Sequence, residues 1–288
     1  MKYYKTESDG KLEVGQVLYT KHFALTVDRG LCKGCQICQL ACPKQIIARV
    51  PQADADGKAV APLVDIDEKK CDFCGVCALA CPFSAIAVTA KGLDGIAIDN
   101  TVSADIYPTL VRDIEVDNAK CKPDCKQCED ICALGVLCVD TKKGEVAVKT
   151  ELCAGCTACW MECPEEAISV SKFIEGEIQI NTEKCPEGCT RCVDVCPVNA
   201  MTLEDGEVFA SDYTCIYCGA CQEVCPGMGA TPSESALRIE RTAIRHSEVD
   251  SGTWNKALER LTSAEGLARE RAAENAAKAQ AALKEGKE

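Results

Sequence analysis

Thiols are the side chains in this sequence whose type and spacing could do chemistry. Cys153, Cys156 and Cys159 lie within seven residues, Cys163 follows after three more, and Pro164 closes the run. A C-x2-C-x2-C-x3-C-P run can wrap three corners of a [4Fe–4S] cube with one loop and offer a fourth thiolate at a distance. The proline keeps that fourth cysteine out of a continuing helix. Equivalent runs start at Cys32, Cys71, Cys121, Cys185 and Cys215, so of the 25 cysteines only Cys138 stands outside a run. Zinc prefers two separated pairs with an intervening loop; three cysteines at close spacing plus a remote fourth suit a cube better. No run is short of a cysteine, so none leaves an iron open for chemistry on a substrate. There is no Gly-rich phosphate loop for a flavin or nicotinamide, and no nucleophile with an activating base. The chain is therefore expected to catalyse nothing alone and to move electrons singly through six [4Fe–4S] clusters.

Composition agrees. Only 5% of the 288 residues are aromatic, too few for a conventional core of this length, and folding is expected to be coupled to metal. A disulfide framework would need export to an oxidising compartment. The first ten residues show no apolar stretch and no small-residue cleavage site, and no run has the apolar length that crosses a bilayer. The sequence reads as cytoplasmic, with reduced thiols available to metal. Its formal charge is −13; six oxidised cubes at about −2 each would add roughly −12. Such a surface repels nucleic acid and anionic membranes and steers towards basic docking faces.

Stepping outward from the thiols, a β-like stretch precedes each run: Leu25–Val27, Leu63–Ile66, Ile114–Val116, Val146–Val148, Ile178–Ile180 and Val208–Phe209. After the fourth cysteine a short helical turn and a second strand are expected, as at Ala85–Val88 and Ala167–Val170. Strand, cluster loop, turn and strand, repeated about a pseudo-twofold axis, resembles the small α+β ferredoxin unit. In two-cluster ferredoxins the fourth cysteine ligates the other cluster. The resemblance therefore implies Cys32, Cys35, Cys38 with Cys81, and Cys71, Cys74, Cys77 with Cys42 in a first module. It implies Cys121, Cys125, Cys128 with Cys163, and Cys153, Cys156, Cys159 with Cys132 in a second. It implies Cys185, Cys189, Cys192 with Cys225, and Cys215, Cys218, Cys221 with Cys196 in a third.

The fold class is thus α+β, three tandem bacterial-type 2×[4Fe–4S] modules with a helical C-terminal tail. The divisions are an N-terminal extension 1–23, module one 24–90, a connector 91–112, module two 113–172, module three 173–230 and the tail 231–288. Runs three and five share an extra residue between their first cysteines and a Cys-x-Asp-x-Cys ending through Asp130 and Asp194. That favours pairing of neighbours; a nested arrangement is the alternative. Residues 1–23 are either a leader lying on another subunit or a frayed end. Residues 51–62 read as a polar surface loop. Run three has Ala133 in place of proline, which relaxes a turn and costs no ligand. After run six the strand is either cut short or supplied from Ala236 onwards, where 236–245 suits strand or helix. Thr262-Ser-Ala-Glu265 reads as a capping box opening an alanine-rich helix to about Leu283, packed on a partner or left in solvent. Cys138 falls at the outward position of its strand, a structural thiol. Trp254 and Leu258, one helical turn apart, read as core or anchor, and His22 and His246 are remote from every run.

The six repeats resemble the archaeal polyferredoxins. Tyr107-Pro-Thr-Leu-Val-Arg-Asp-Ile114, Ile239-Glu-Arg-Thr-Ala-Ile-Arg-His246 and Ser251-Gly-Thr-Trp-Asn255 resemble a narrower group, the polyferredoxin subunit of formylmethanofuran dehydrogenase. That group commonly carries eight clusters, so six is a departure. The resemblance implies a subunit that takes low-potential electrons from a ferredoxin or a heterodisulfide reductase-type partner. It would deliver them to a tungsten or molybdenum subunit that reduces carbon dioxide to formate for condensation onto methanofuran, the entry to methanogenesis. The catalytic residues would all lie on other chains.

Overall fold

Short strands flank each cysteine run, some pairing with strands distant in sequence and others forming hairpins with their neighbours. The structure, a computed structural model, describes residues 1–55, 59–92, 108–227, 235–248 and 251–262. Strands β1 (Lys2–Ser8), β2 (Lys11–Val17) and β3 (Lys21–Asp28) form an antiparallel meander, and β3 pairs with β6 (Ile86–Gly92), giving the order β1-β2-β3-β6. Between them β4 (Ile47–Ala53) and β5 (Ala59–Ile66) form a hairpin. The arrangement recurs: β7 (Ile114–Val116) pairs with β10 (Ile168–Val170) around the hairpin β8 (Leu137–Asp140) and β9 (Glu145–Val148). It recurs again where β11 (Ile174–Ile180) pairs with β14 (Leu237–Ile244) around β12 (Met201–Glu204) and β13 (Glu207–Ala210).

Several of these elements differ from the expectations. Residues 1–23 are not a frayed end: Asp9 and Gly10, at φ +52° and +70°, turn β1 onto β2 as a tight hairpin requires. Leu12 and Val14 on β2 are buried with Leu25 and Val27 of β3 under the first cysteine loops. Residues 51–62 are mostly the ends of a long hairpin, not a loop; the register slips between Val50 and Gln52, where Pro51 has no N–H to give the ladder. The expected helical tail is not helix throughout: 237–244 is the strand β14 that completes the last set. Thr262, expected to cap a helix start, instead ends the helix Gly252–Thr262, its Oγ1 donating to Leu258 O at 2.8 Å; the alanine-rich stretch beyond it lies outside the described residues, as does most of the connector.

One-turn helices carry the third cysteine of each run: α1 (Ile37–Ala41), α2 (Val76–Ala80), α3 (Gln127–Ile131), α4 (Ala158–Met161), α5 (Arg191–Asp194) and α6 (Ala220–Val224). They stand before the fourth cysteine rather than after it. Cys42, Cys81 and Cys225 are extended, at ψ 114° to 117°, because each precedes a proline whose ring excludes the helical region. Cys132, followed by Ala133, still takes ψ 93°, so the loss of that proline leaves the turn intact.

A longer helix, α7 (Gly252–Thr262), packs against α1. Trp254, Ala257 and Leu261 form its buried stripe, and Arg260 donates from Nε to the carbonyl of Leu40 (2.8 Å) and from Nη2 to that of Ala41 (3.1 Å) at the end of α1. Trp254 meets the His246 ring edge-on at 5.5 Å. The segment from Thr109 is tied alongside: Ser247 N donates to Thr109 O at 3.0 Å and Val111 N to Arg245 O at 3.1 Å.

Candidate metal centres

Each cysteine loop is shaped by left-handed residues at fixed places. The residue before the second cysteine, Gly34, Phe73, Asp124, Gly155, Gly188 or Tyr217, has φ between +49° and +69° in all six runs. At Gly34 a Cβ would also lie 2.7 Å from Pro62. The extra residue of runs three and five is absorbed ahead of this point, so the loop still closes. Three residues after the fourth cysteine Gln45, Ser84, Gly135, Glu166 and Asn199 take φ between +48° and +62°. That turn points the next N–H at the thiol: Ala85, Val136, Ala167 and Ala200 donate to the Sγ of Cys81, Cys132, Cys163 and Cys196 at 3.2–3.4 Å. Phe73 and Tyr217 N–H groups donate likewise to Cys71 and Cys215 Sγ, both at 3.4 Å. Such bonds favour thiolate over thiol and tune whatever the sulfurs bind.

The thiols gather across runs. One cavity is lined by Cys42, Cys71, Cys74 and Cys77, with Leu25 and Ile66 beside them. A second is lined by Cys121, Cys125, Cys128 and Cys163, with Val146 and Ile168. Cys81 lies within charge–charge range of Cys32, Cys35 and Cys38, and Cys132 of Cys153, Cys156 and Cys159. Cys225 lies in that range of Cys185, Cys189 and Cys192, and Cys196 of Cys215, Cys218 and Cys221. Within each pair of runs the third cysteines approach one another: Cys77 with Cys38, Cys159 with Cys128, Cys221 with Cys192.

Cys138 is exposed on β8 beside buried Leu137, as the two-residue strand period predicts. His22 Nε2 pairs with Tyr4 Oη (2.7 Å) and His246 Nδ1 donates to Ser247 O (2.8 Å), both apart from the thiols.

Burial pushes the Cys159 thiol up to about 12, with Cys156 and Cys153 adding to it, and the Cys74 and Cys215 thiols to about 11. Four thiolates cannot share an apolar cavity without positive charge among them, so the residues suit a cationic iron–sulfur core whose binding expels protons. Among the described residues no three His, Cys, Asp or Glu side chains converge as ligands of a single ion.

Paired strands around loops that gather four thiols define a class, the ferredoxin-type [4Fe–4S] electron-transfer proteins. Models of the 4Fe-4S dicluster domain match residues 31–85 and 152–200, and 177–226. One chain of the formate dehydrogenase–heterodisulfide reductase–formylmethanofuran dehydrogenase complex from Methanospirillum hungatei superposes at a TM-score of 0.76 and 30% identity, over 91% of this chain and 91% of that one. The polyferredoxin protein MvhB of Methanothermobacter marburgensis is 35% identical over 28% of this chain and 21% of its own length. The polyferredoxin-like subunit of aliphatic sulfonate oxidoreductase from Pyrococcus furiosus is 30% identical, over 28% and 54%. Formate hydrogenlyase subunit 2 of Escherichia coli is 33% identical, over 28% and 44%. The chain therefore spans between about a fifth and about half the length of these curated relatives. It belongs to the archaeal polyferredoxins. Among the described residues no helix is long and apolar enough to cross a membrane.

Proposed function

We propose that the chain holds six [4Fe–4S] clusters in three tandem two-cluster modules and conducts single electrons as a subunit without catalytic residues of its own. The observation that carries this reading is the crossed gathering of thiols: the fourth cysteine of each run sits with the first three of its neighbour. Bound there, such clusters supply one-electron redox chemistry. The chain's own part is to hold the sulfurs, donate N–H groups to them and exclude water with Leu25, Ile66, Val146 and Ile168.

The partner is a formylmethanofuran dehydrogenase-like assembly, whose tungsten or molybdenum subunit would receive electrons brought by a ferredoxin or a heterodisulfide reductase-type donor. Two things support it. One is the likeness to a chain of such a complex along nearly the whole length. The other is that the segments from Thr109 and to His246 and Trp254, remote in sequence and all within the stretches that resemble that family, are joined to one another by backbone hydrogen bonds and a ring contact. A second reading, an electron-transfer subunit of a hydrogenase-linked complex, is favoured by the match to formate hydrogenlyase subunit 2. A net charge of −13 and the set of thiols suit a reducing, cytoplasmic setting. Anaerobic native purification followed by mass spectrometry separates the readings. Co-eluting pterin-enzyme and formyltransferase-like subunits are expected; hydrogenase subunits would move the chain to the second reading, and a lone chain would make it a free carrier.

A further inference from the structure

Three basic side chains stand where the paired runs meet one another. Arg112 donates from Nη1 to the carbonyl oxygens of Pro82 (2.9 Å) and Cys153, and from Nη2 to that of Cys81 (3.1 Å). Its guanidinium lies 5.0 Å over the Phe173 ring. Lys172 Nζ donates to the carbonyls of Cys215 (2.9 Å) and Asp212, 5.0 Å from the Tyr217 ring, within charge range of Cys156. Arg241 donates from Nε to Tyr217 O (2.7 Å) and from Nη2 to Cys218 O (3.1 Å), within charge range of Cys35. Beside it Gln36 N donates to Cys218 O at 3.4 Å. Gly219, at φ +86°, has no room for a Cβ, which would come within 3.0 Å of Arg241 and of Gln36.

Each cation therefore joins loops of two tetrads: Cys81 with Cys153, Cys156 with Cys215, Cys218 with Cys35. The three tetrads holding these residues, here the inner ones, meet at one junction; among the described residues these cations have no partner in the other three, here the outer ones. Arg241 is the most telling. It is 2% exposed, its Nη1 has no hydrogen-bond partner, and the charged groups about it are the thiols of Cys218, Cys35, Cys221 and Cys215. A buried charge without a counter-charge is strongly disfavoured, so what those thiols hold must supply it. Arg112 also faces Glu151, and Lys172 faces Asp212 and Glu175, which offset part of their charge.

We propose that Arg241, with Arg112 and Lys172, holds the three inner clusters at higher reduction potential than the outer three, so that electrons rest at the junction between arrival and departure. This rests on the cluster assignment above. Each cluster accepts one electron, its total charge passing from about −2 to about −3. A fixed positive charge in a dry site stabilises the more negative form, and local charge and hydrogen bonding set cluster potentials.

The test is a potentiometric titration followed by electron paramagnetic resonance on the anaerobically purified full-length chain, with iron counted in each sample. Arg241→Gln keeps its iron, but its first-reducing clusters fall about tenfold in reduced-to-oxidised ratio at the wild-type midpoint, which is about 59 mV for one electron. Arg241→Lys recovers most of that shift, the last-reducing clusters stay put, and Lys172→Met moves the same way by less. If Arg241→Gln loses iron, Lys172→Met decides. Unchanged midpoints at full iron overturn the proposal. Absence of reduced-cluster signals from the wild-type chain would instead overturn the cluster assignment.

Discussion

The loops are built from single residues held in a conformation most residues avoid. Phe73 and Tyr217, bulky and at φ +56° and +49°, are kept there by packing: Phe73 stacks on Phe23 at 5.9 Å, and Tyr217 lies under Lys172. Glu166 pays the same strain at φ +48° on an exposed turn where its backbone alone is used, its N–H donating to Cys163 O and its oxygen accepting from Lys120. Glu166→Gly should therefore stabilise the holoprotein by about 1 kcal/mol, read as a higher denaturant midpoint for cluster loss. At this scale the thiols were fully legible, since a repeat shows in any sequence. The junction cations were not. Arg112 and Arg241 look like ordinary surface arginines in an ordinary strand-like stretch, and their partners, Cys153 and Cys218 among them, come from other loops that only the fold brings near.

Among elements, the strands flanking each run could be read from their apolar alternation, whereas the N-terminal hairpin could not. Leu12 and Val14 are separated by Glu13 and surrounded by polar residues, too short a pattern to stand out, and their burial comes from β3 rather than from local sequence. Leu12→Ala should destabilise the first sheet by about 2–5 kcal/mol, seen as earlier bleaching of part of the cluster absorbance on heating. The strand β14 was open to two readings because 236–245 suits either period; pairing with β11 settles it. The helical turn expected after the fourth cysteine stands instead before it, on the third, where the close spacing of the cysteines hides the 3.6-residue period.

Over the whole molecule, dependence on metal should be uneven. Among the described residues the apolar cluster around 114–170 has five buried members, and two of them are cysteines, Cys128 and Cys159. The first sheet set adds Leu12, Val14, Leu25 and Val27 beneath its thiols. Chelating iron should thus expose 114–170 to protease first and the N-terminal meander last, with fragments ordered by mass spectrometry; simultaneous cleavage throughout would show that the apolar cores contribute little. The proposed crossed ligation would couple each pair of runs, and the proposed folding unit and electron path both depend on it. Its most direct measurement is differential alkylation of the intact holoprotein carrying Cys121→Ser and Cys125→Ser, with each cysteine located by peptide mass spectrometry. Crossed ligation predicts that Cys128 and Cys163 become reactive while Cys132 stays protected with Cys153, Cys156 and Cys159. Reactive Cys132 beside a protected Cys163 would contradict it.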